Sequence, residues 1–558
     1  MEDSPPLGVN LLSGVQHVAL MSIYLLYPVL VAQEAGASVE VAAAVVSMTL
    51  IALGIGAVLQ AIRMGPIGSG YLCQPIPSVV YFVPSLVAAH HGGLPAVFGM
   101  TLMAGVVEVV LARLLRRLRA LFPAEIAGLV VMLVGITTGV VGLRMALGAG
   151  PQSGAVSTTD VAIALGTLAV MVALNVWGRG PLRLFCVLIG MAIGYFMAWS
   201  LDRIGADLPA AAGAGALFAL PQPSHLGWSF DTTLVLPFLI AAFAATLKVV
   251  GNITTSQKAN DVDWVRADMR SISRGTVADG VASIAAGALG GHGLNSSTGA
   301  VGLATATGVT SRRVAWSVAG ILFVLAFVPG LGLLLYNMPR PVAGAALVFS
   351  STFITINGLE IMTSRLLDAR KTLVIGLALV FGLAVEMYSG LLQMLPQSVR
   401  ISLGTSLVLG TLVGLGLNVL FRIGLRKKVT ISVAPEAVGS DALAVFMDKQ
   451  GAAWGARRDV IERAKFNLEQ SIETIFSSGV ASSPLQVEAS FDEFNLDIRV
   501  SYSGPPLELP EKRPSNEEIM ASEEGERRLA GFMLRRFADR VTTSCRADRS
   551  TIAFHFDH

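Results

Sequence analysis

The chain has 558 residues, of which 53% are hydrophobic and only 14% are charged, and its mean hydropathy is +0.66. This composition excludes an ordinary soluble protein of that length and indicates an integral membrane protein. The formal net charge of +2 gives no indication of nucleic-acid binding, and three cysteines, Cys73, Cys186 and Cys545, predict no disulfide framework. The first apolar stretch has full spanning length, so no cleavable signal peptide is expected.

Apolar stretches of membrane-spanning length follow one another along the first three quarters of the chain. A bilayer core of about 30 Å requires about twenty helical residues. Twelve strong stretches cover residues 9–31, 39–62, 94–115, 124–147, 161–177, 182–199, 233–254, 271–289, 314–336, 341–361, 373–392 and 401–421. Two weaker segments, residues 71–89 and 299–309, are interrupted by Gly, Pro or Ser. The sequence therefore predicts an all-α polytopic membrane protein with about 14 transmembrane helices.

Basic residues are concentrated in every second loop. They follow the even-numbered spans at Arg63, Arg113, Arg116, Arg117, Arg119, Arg179, Arg183, Lys258, Arg266, Arg270, Arg312, Arg313, Arg365, Arg370, Lys371, Arg426, Lys427 and Lys428. The other loops contain only scattered cases such as Arg144 and Arg203. Because short cytoplasmic loops carry the excess of Lys and Arg, both termini are predicted to lie in the cytoplasm, with the protein in the cytoplasmic (inner) membrane.

Fourteen spans divide into two sets of seven, and an odd number in each set forces the second set to cross the membrane upside down. Such 7+7 inverted repeats are typical of secondary transporters. In this division the third span matches the tenth, and these are the two interrupted segments, preceded by residues 65–70 and 290–297. Broken elements at equivalent places predict a binding site at the middle of the membrane. The alternative is a pair of kinked packing helices.

Several short motifs lie in a consistent order on these spans. They are Gln16-His17, the run Gly65-Pro66-Ile67-Gly68-Ser69-Gly70-Tyr71-Leu72, Asp279-Gly280, residues 302–308 with Ser311-Arg312, and Pro341-Val342-Ala343-Gly344. Together they resemble the nucleobase/ascorbate transporter family, the xanthine/uracil permeases, over about residues 8–421. The resemblance implies a core domain (spans 1–4 and 8–11) that holds substrate and moves like an elevator against a gate domain (spans 5–7 and 12–14). It also implies a dimer and coupling to protons or sodium.

Two positions depart from the family pattern. In the eighth span the family usually has a Glu shortly before a Gly, whereas this chain has Lys248 before Gly251. In the tenth span the family's pair of polar residues is replaced by Gly299 and Ala300. A Lys has three hydrogen-bond donors and no acceptor, so Lys248 is a candidate for binding an anionic substrate. The alternatives are that it reaches the cytoplasmic surface or pairs with Asp279.

Other intramembrane polar residues give further candidates. Asp279 in the ninth span is the leading candidate for the ion-coupling carboxylate, and a structural ion pair with Lys248 is nearly as well supported. His17 matches the family's first-span histidine, and a packing role for it is equally plausible. The third-span break predicts a substrate contact at Ser78, Val79 and Val80, opposite residues 295–298. Four more titratable residues, expected to face neighbouring helices or solvent, are Glu108, Glu386, His90 and His91.

After Lys428 the composition becomes that of a soluble domain, so residues 1–428 and 429–558 are predicted to be a transporter domain and a cytoplasmic α+β regulatory domain. Helices are predicted over 457–476 and 529–541, strands over 485–490, 496–502 and 551–556, and a mobile lid-like loop over 505–526. The layout resembles the histidine-kinase-like ATPase fold. The positions matched to that fold are Glu469, Glu473, Tyr502 with Ser503-Gly504, Gly525 and Gly531. Because the nucleotide-binding Asp is replaced by Tyr502, little or no ATP hydrolysis is expected.

Three functions remain open from the sequence. The first is a secondary transporter of nucleobases such as xanthine, urate or uracil, coupled to H⁺ or Na⁺. The second is an anion transporter that uses Lys248, and the third is a sensor that signals through the C-terminal domain. The sequence has no P-loop, so primary active transport is not expected. A transporter or sensor of this kind is not expected to be an enzyme. The expected partners are a small-molecule substrate, lipid and a second copy of the chain, with no cofactor, metal or nucleic acid.

Overall fold

Two units divide the chain, Met1–Val419 and Leu420–His558. The computed structural model describes residues 5–118, 124–148, 156–203, 218–222, 227–262, 264, 267–363, 367, 369–388, 390, 392–421, 427–434, 442–454, 456, 458–477, 479, 481, 484–492, 495–507, 509–515, 519, 523–546 and 549–557. Of the predicted cytoplasmic basic residues, Arg119, Arg266, Arg365 and Arg426 lie outside them.

The first half of the N-terminal unit consists of helices and one three-residue strand. Its elements are α1 (Leu7–Met21), a 3-10 turn (Ser22–Leu25), α2 (Leu26–Glu34), α3 (Val39–Ala61), β1 (Pro75–Pro77), α4 (Val79–Leu118), α5 (Ala124–Ala146), α6 (Thr158–Val176), α7 (Pro181–Leu184) and α8 (Cys186–Ser200). Inside α4, Gly93 has φ 65° and ψ −166°, outside the helical region. The predicted third and fourth spans are therefore two helices that join at Gly93.

The second half follows a similar plan. It contains α9 (Thr232–Asn260), α10 (Met269–Leu289), β2 (Leu294–Ser296), α11 (Thr298–Thr307), α12 (Val314–Ala326), α13 (Pro329–Tyr336), α14 (Arg340–Met362), α15 (Ala369–Met387), α16 (Gln397–Leu403) and α17 (Ser406–Phe421). Side chains at the N-termini explain several starts: Asp231 accepts from the Thr233 N–H at 2.8 Å, and Asp268 accepts from the Arg270 N–H at 2.9 Å. Gly290 ends α10 with φ 84°.

At least seven helices among the described residues are long and apolar enough to cross a membrane, and the number is nine if each bent pair counts as one span. The bent pairs are α12 with α13, at 75°, and α16 with α17, at 81°. The predicted spans over 314–336 and 401–421 are therefore each bent within their length, and whether each crosses the membrane as one span stays a prediction. Pro329 causes the first break, because proline lacks an N–H and disfavours helix in the residue before it. The predicted span 182–199 is the shorter helix α8.

Helices α4 and α10 approach so closely that their backbones touch. A Cβ atom added at Gly280 of α10 would lie 2.7 Å from the Gly105 oxygen of α4 and 3.0 Å from the Glu108 Cβ. A Cβ added at Gly287 would lie 2.8 Å from the Leu102 nitrogen. Small residues are what permits such contact between membrane helices. The glycines therefore fix the distance between the two helices from Leu102 to Glu108.

We expect Gly280→Ala to destabilise the N-terminal unit by about 1–3 kcal/mol, because the added methyl group must push α4 and α10 apart. The measurement is thermal unfolding of the full-length protein in detergent. Gly320→Ala in α12 is the matched control, since a Cβ there meets nothing within 4 Å. The control is expected to be neutral or slightly stabilising. Equal unfolding temperatures for the two variants would contradict the close contact.

The C-terminal unit is a five-stranded antiparallel sheet with helices packed on one face. Its strands are β3 (Lys427–Val433), β4 (Leu485–Phe491), β5 (Asn495–Ser503), β6 (Arg540–Arg546) and β7 (Arg549–Asp557), in the order β3-β4-β5-β7-β6. The helices are α18 (Ala442–Trp454), α19 (Arg458–Ser477) and α20 (Glu523–Phe537). Alternate residues of β5, Leu496, Ile498, Val500 and Tyr502, are buried in the shared core.

Several predicted boundaries in this unit are wrong. The predicted helix over 529–541 is α20, which begins at Glu523 inside the predicted loop 505–526 and ends at Phe537. Residues 540–546 form β6 instead, in keeping with the strand preference of Val541, Thr542 and Thr543. The predicted loop lies partly outside the described residues.

The positions matched to the ATPase fold differ in their burial. Glu469 and Glu473 are exposed on α19, whereas Gly525 and Gly531 are buried within α20. Tyr502 is buried in the core, and its hydroxyl accepts from the Leu507 N–H at 2.9 Å. The absence of ATP hydrolysis stays a prediction.

His555 in β7 gives the C-terminal unit a predictable pH dependence. Its Nδ1 donates to Asp497 Oδ1 at 2.7 Å, and this bond, with a further contact to Asp557, raises the pKa of His555 to about 10. Unfolded histidine titrates near 6.5. The charged ring therefore stabilises the unit fully below about pH 6.5, and the contribution is lost as the pH rises towards 10.

We expect His555→Gln to lower the protection of β7 against hydrogen exchange at pH 7, with a smaller difference from the natural protein at pH 10. Exchange mass spectrometry on the full-length chain, with both proteins compared at each pH, measures this. Asp497→Asn serves as the matched variant, because it keeps the ring and an acceptor oxygen but removes the negative charge of the partner. A difference that does not change with pH would show that the charge of His555 makes no contribution.

Candidate functional site

The two interrupted segments meet in the middle of the N-terminal unit. Strand β1 pairs antiparallel with β2, with Pro75 opposite Ser296, Ile76 opposite Asn295 and Pro77 opposite Leu294. All six residues are buried. Two further backbone bonds extend the pairing, from Ser78 N–H to the Gly293 oxygen and from Ser297 N–H to the Gln74 oxygen, each 2.8 Å. The two segments therefore meet here as short paired strands and not as continuous helices. We call residues 74–78 and 293–297 the crossing.

A half-helix begins immediately after each strand. Helix α4 begins at Val79 and α11 begins at Thr298, so two helix N-termini adjoin the crossing. The Ser297 hydroxyl caps α11 by accepting from the Ala300 N–H at 3.1 Å. The Ser78 hydroxyl is buried and has no hydrogen-bond partner in the described part of the chain. Helix N-termini carry partial positive charge, which makes the crossing favourable for an anion.

Lys248 lies on α9 and is only 8% exposed. Its ammonium group has no hydrogen-bond or ion-pair partner among the described residues. The negative charge of Asp279 on α10 nevertheless acts on it from a longer distance. It is thus buried inside the N-terminal unit, and a direct ion pair with Asp279 is not formed. A buried cation without a hydrogen-bonded partner is costly, and such a group is suited to receiving an anion.

Asp279 is joined to the crossing through Asn295. The Asn295 amide donates to Asp279 Oδ2 at 2.7 Å and to the Ala245 oxygen at 3.1 Å. The Ser296 backbone also hydrogen-bonds Asp279. On its other side Asp279 contacts the carboxyl group of Glu108, which accepts a hydrogen bond from Tyr81. Four buried polar side chains from α4, α10 and β2 thus form one chain.

Of the remaining residues predicted to contact substrate, some are exposed and others are buried. Gly251 and Gly299 are exposed, and a Cβ at Gly251 would meet nothing within 4 Å. A Cβ at Gly299 would make only ordinary contacts, the nearest being Leu20 at 3.5 Å. Ala300, Val79 and Val80 are buried. The two glycines therefore border open space that a larger side chain would fill.

His17 approaches the same region from α1. Its Nδ1 donates to the Ser13 oxygen at 2.8 Å, and the ring interacts with the backbone of Ala300. Nε2 is buried and has no hydrogen-bond partner among the described atoms. This arrangement is compatible with both the coupling role and the packing role predicted for it.

Three predicted titratable residues lie away from the crossing. His90 and His91 stack edge to face at 5.4 Å near the end of the first half of α4, and His90 lies 3.3 Å from Glu34. Glu386, near the end of α15, accepts from the Ser406 hydroxyl at 3.0 Å and lies 3.9 Å from Arg144. Neither group contributes to the site around Lys248.

Sequence reasoning missed residues that brace the crossing. Asn252, one helical turn after Lys248, donates to both the Ser296 oxygen at 3.1 Å and its hydroxyl at 2.8 Å. His292 Nε2 donates to the Ser78 oxygen at 3.0 Å. The polar positions themselves are visible in an apolar sequence, since each is expensive to bury. Their partners are not visible, because they are distant in the chain.

Comparison with known proteins identifies the family. Residues 8–391 match a family described as the permease family. Xanthine permease XanP of Escherichia coli K12 is 28% identical over 437 residues, covering 75% of this chain and 94% of that protein. Xanthine permease XanQ of the same organism is 28% identical over 448 residues, covering 77% and 94%. Uric acid permease PucJ of Bacillus subtilis is 25% identical over 427 residues, covering 75% and 93%.

A solved structure shares the fold. The murine Slc26a9 anion transporter in its inward-facing state superposes with a TM-score of 0.52 at 12% identity, covering 78% of this chain and 72% of that one. At this identity the similarity concerns the mostly helical membrane-transporter fold alone. Because the family match covers more than half of the chain, this integral membrane protein belongs to the nucleobase/ascorbate transporter family of permeases and is a transporter, not an enzyme.

Proposed function

We propose that the protein is a secondary transporter of purine nucleobases in their anionic form, such as urate or the xanthine monoanion. The observation that carries the proposal is the Lys248 ammonium, buried and without a contacting partner among the described residues, one helical turn before Asn252, which bonds Ser296 at the crossing. A carboxylate at this position would accept from ring N–H groups, whereas an ammonium donates to a negatively charged ring oxygen or nitrogen. The substrate's charge then replaces the missing partner.

The substrate lies, in this proposal, between α9 and the two half-helices. Ser78, Val79 and Val80 border it on one side, and the open faces of Gly251 and Gly299 leave room for a flat ring on the other. Ala300 contributes its backbone at the start of α11. Asp279 is the coupling carboxylate, with His17 as a second coupling group, and the coupling ion is H⁺ or Na⁺.

The transport cycle follows from the repeat. We propose fourteen spans in a 7+7 inverted repeat, with a core domain that moves as an elevator against a gate domain, in a homodimer in the inner membrane with both termini in the cytoplasm. The antiparallel pairing of β1 with β2, each followed by a half-helix, supports equivalent breaks in two inverted halves. The C-terminal unit is then a cytoplasmic regulatory domain.

An inorganic oxyanion is the second candidate substrate. The observation in its favour is that Gly299 and Ala300 supply no polar side chain to recognise the edge of a base. A sensor function that acts through the C-terminal unit is the third.

Flux into liposomes that contain the full-length protein distinguishes these functions. We expect uptake of labelled urate or xanthine that is inhibited by the other base and unaffected by excess bicarbonate or sulfate. Uptake of bicarbonate or sulfate with no response to bases would replace the proposal with the second candidate. Specific binding of a base without any flux, in the presence and absence of residues 429–558, would favour the sensor.

A further inference from the structure

The carboxyl groups of Glu108 and Asp279 are buried together between α4 and α10. Glu108 is 0% exposed and Asp279 is 1% exposed. The two helices touch at Gly280, the neighbour of Asp279, where an added Cβ would lie 3.0 Å from the Glu108 Cβ, and the two carboxyl groups are within hydrogen-bonding reach of each other. Glu108 Oε2 and Asp279 Oδ1 receive no hydrogen bond from any other donor among the described residues. Two ionised carboxylates are both acceptors, so this contact requires a proton.

The surroundings decide which of the two carboxyl groups holds that proton. Asp279 receives the Asn295 amide at 2.7 Å and the Ser296 backbone, and the positive charge of Lys248 acts on it. Such donors and charges favour the ionised form. Apart from its contact with Asp279, Glu108 accepts a hydrogen bond only from the Tyr81 hydroxyl among the described residues, and the nearby Cys73 adds no positive charge. The proton therefore belongs on Glu108.

We propose that Glu108 holds a resident proton in the ligand-free protein and donates it in a hydrogen bond to Asp279, so that Glu108 is the positioning residue for the coupling carboxylate. The pair then carries one negative charge, which balances the one positive charge of Lys248. This inference deepens the proposed function and rests on it for the coupling role of Asp279 and for the identity of the transported anion.

The charge balance gives the coupling step a definite stoichiometry. A monoanion that binds Lys248 neutralises its positive charge, so this charge no longer balances the Asp279 carboxylate. One proton then binds to Asp279 from the aqueous side to which the site is open. The loaded site holds the Lys248 ammonium, the anion and two neutral carboxyl groups, so it is neutral, as the empty site is. Neutral sites cross the membrane core at the lowest cost.

Infrared spectroscopy of the full-length protein tests the resident proton directly. We expect a carbonyl band of a buried protonated carboxylic acid at neutral pH without substrate, lost in Glu108→Gln and kept in Glu386→Gln. The absence of the band from the natural protein, or its persistence in Glu108→Gln, would overturn the proposal. Because this measurement needs no substrate, it tests the proton on Glu108 even if the protein does not transport nucleobases.

A pair of substitutions tests the role of Glu108 in uptake. Gln is isosteric with protonated Glu and keeps both the donor to Asp279 and the acceptor for Tyr81, whereas Met keeps the length and removes both. We expect urate uptake by Glu108→Gln to stay within about threefold of that of the natural protein. We expect Glu108→Met to lose about 30-fold or more at neutral pH, because Asp279 Oδ1 is then buried without a donor. Equal losses for both variants, at unchanged thermal stability, would contradict a donating Glu108.

Discussion

Lys248→Gln is expected to lower the affinity of the protein for urate about 30- to 150-fold, because it removes a charge-assisted hydrogen bond worth about 2–3 kcal/mol. Gln keeps a similar length and two N–H donors, so the change isolates the positive charge. Lys248 is 8% exposed, and burial strengthens the interaction of its charge with an anion. Equilibrium binding of labelled urate to the purified full-length protein measures the effect.

The matched control for this experiment is Lys258→Gln. Lys258 lies on the same helix, α9, near its exposed end. Its replacement changes the net charge of the protein equally and is expected to leave the affinity unchanged. An unchanged affinity for urate in Lys248→Gln, at a measurable affinity in the natural protein, would remove Lys248 from the binding site and with it the preference for an anion.

A charge reversal extends the test. Lys248→Glu restores the residue that the family usually has at this position, and a carboxylate accepts from ring N–H groups. We expect this variant to lose urate binding and to bind a neutral base such as uracil better than the natural protein does. Such an exchange of preference cannot result from a general loss of folding.

The sequence located the two broken segments but not their pairing. Gly and Pro mark the interruption around residues 71–89, and Gly, Asn and Ser mark the one before 299–309. Strands of three residues, two of them proline in β1, carry no periodicity, and β1 and β2 are more than two hundred residues apart. Only the folded chain brings Ile76 opposite Asn295.

The polar residues of the site were predictable singly, whereas their contacts were not. Lys248, Asp279 and Glu108 stand out because charged residues are rare in membrane helices. The Tyr81 hydroxyl, by contrast, is unremarkable in an apolar sequence, and its bond to Glu108 depends on how α4 turns inside the unit. Pro329 marks the bend after Ala326 in the sequence, but the prediction of one span over residues 314–336 did not include a bend.

Asp279→Asn is expected to keep the exchange of external for internal urate and to lose net urate uptake. Asn still accepts from the Asn295 amide, so the fold is retained, but the negative charge that balances Lys248 is gone. The loaded site, with the Lys248 ammonium and urate, stays neutral and needs no proton. The empty site must cross the membrane with one unbalanced positive charge, which costs about 2.5–3.5 kcal/mol on insertion scales.

Net urate uptake into empty liposomes by Asp279→Asn should therefore fall about 100-fold, while exchange of labelled for internal urate continues and no longer rises at acidic pH. Parallel measurements of the two fluxes check this, with Glu386→Gln as the carboxylate control that keeps both. Equal loss of exchange and net uptake would mean that Asp279 holds the site together instead of balancing its charge. If both fluxes and their pH dependence remained intact, the coupling proton would have to bind elsewhere, and the charge balance between Lys248 and the carboxyl pair would not govern the cycle.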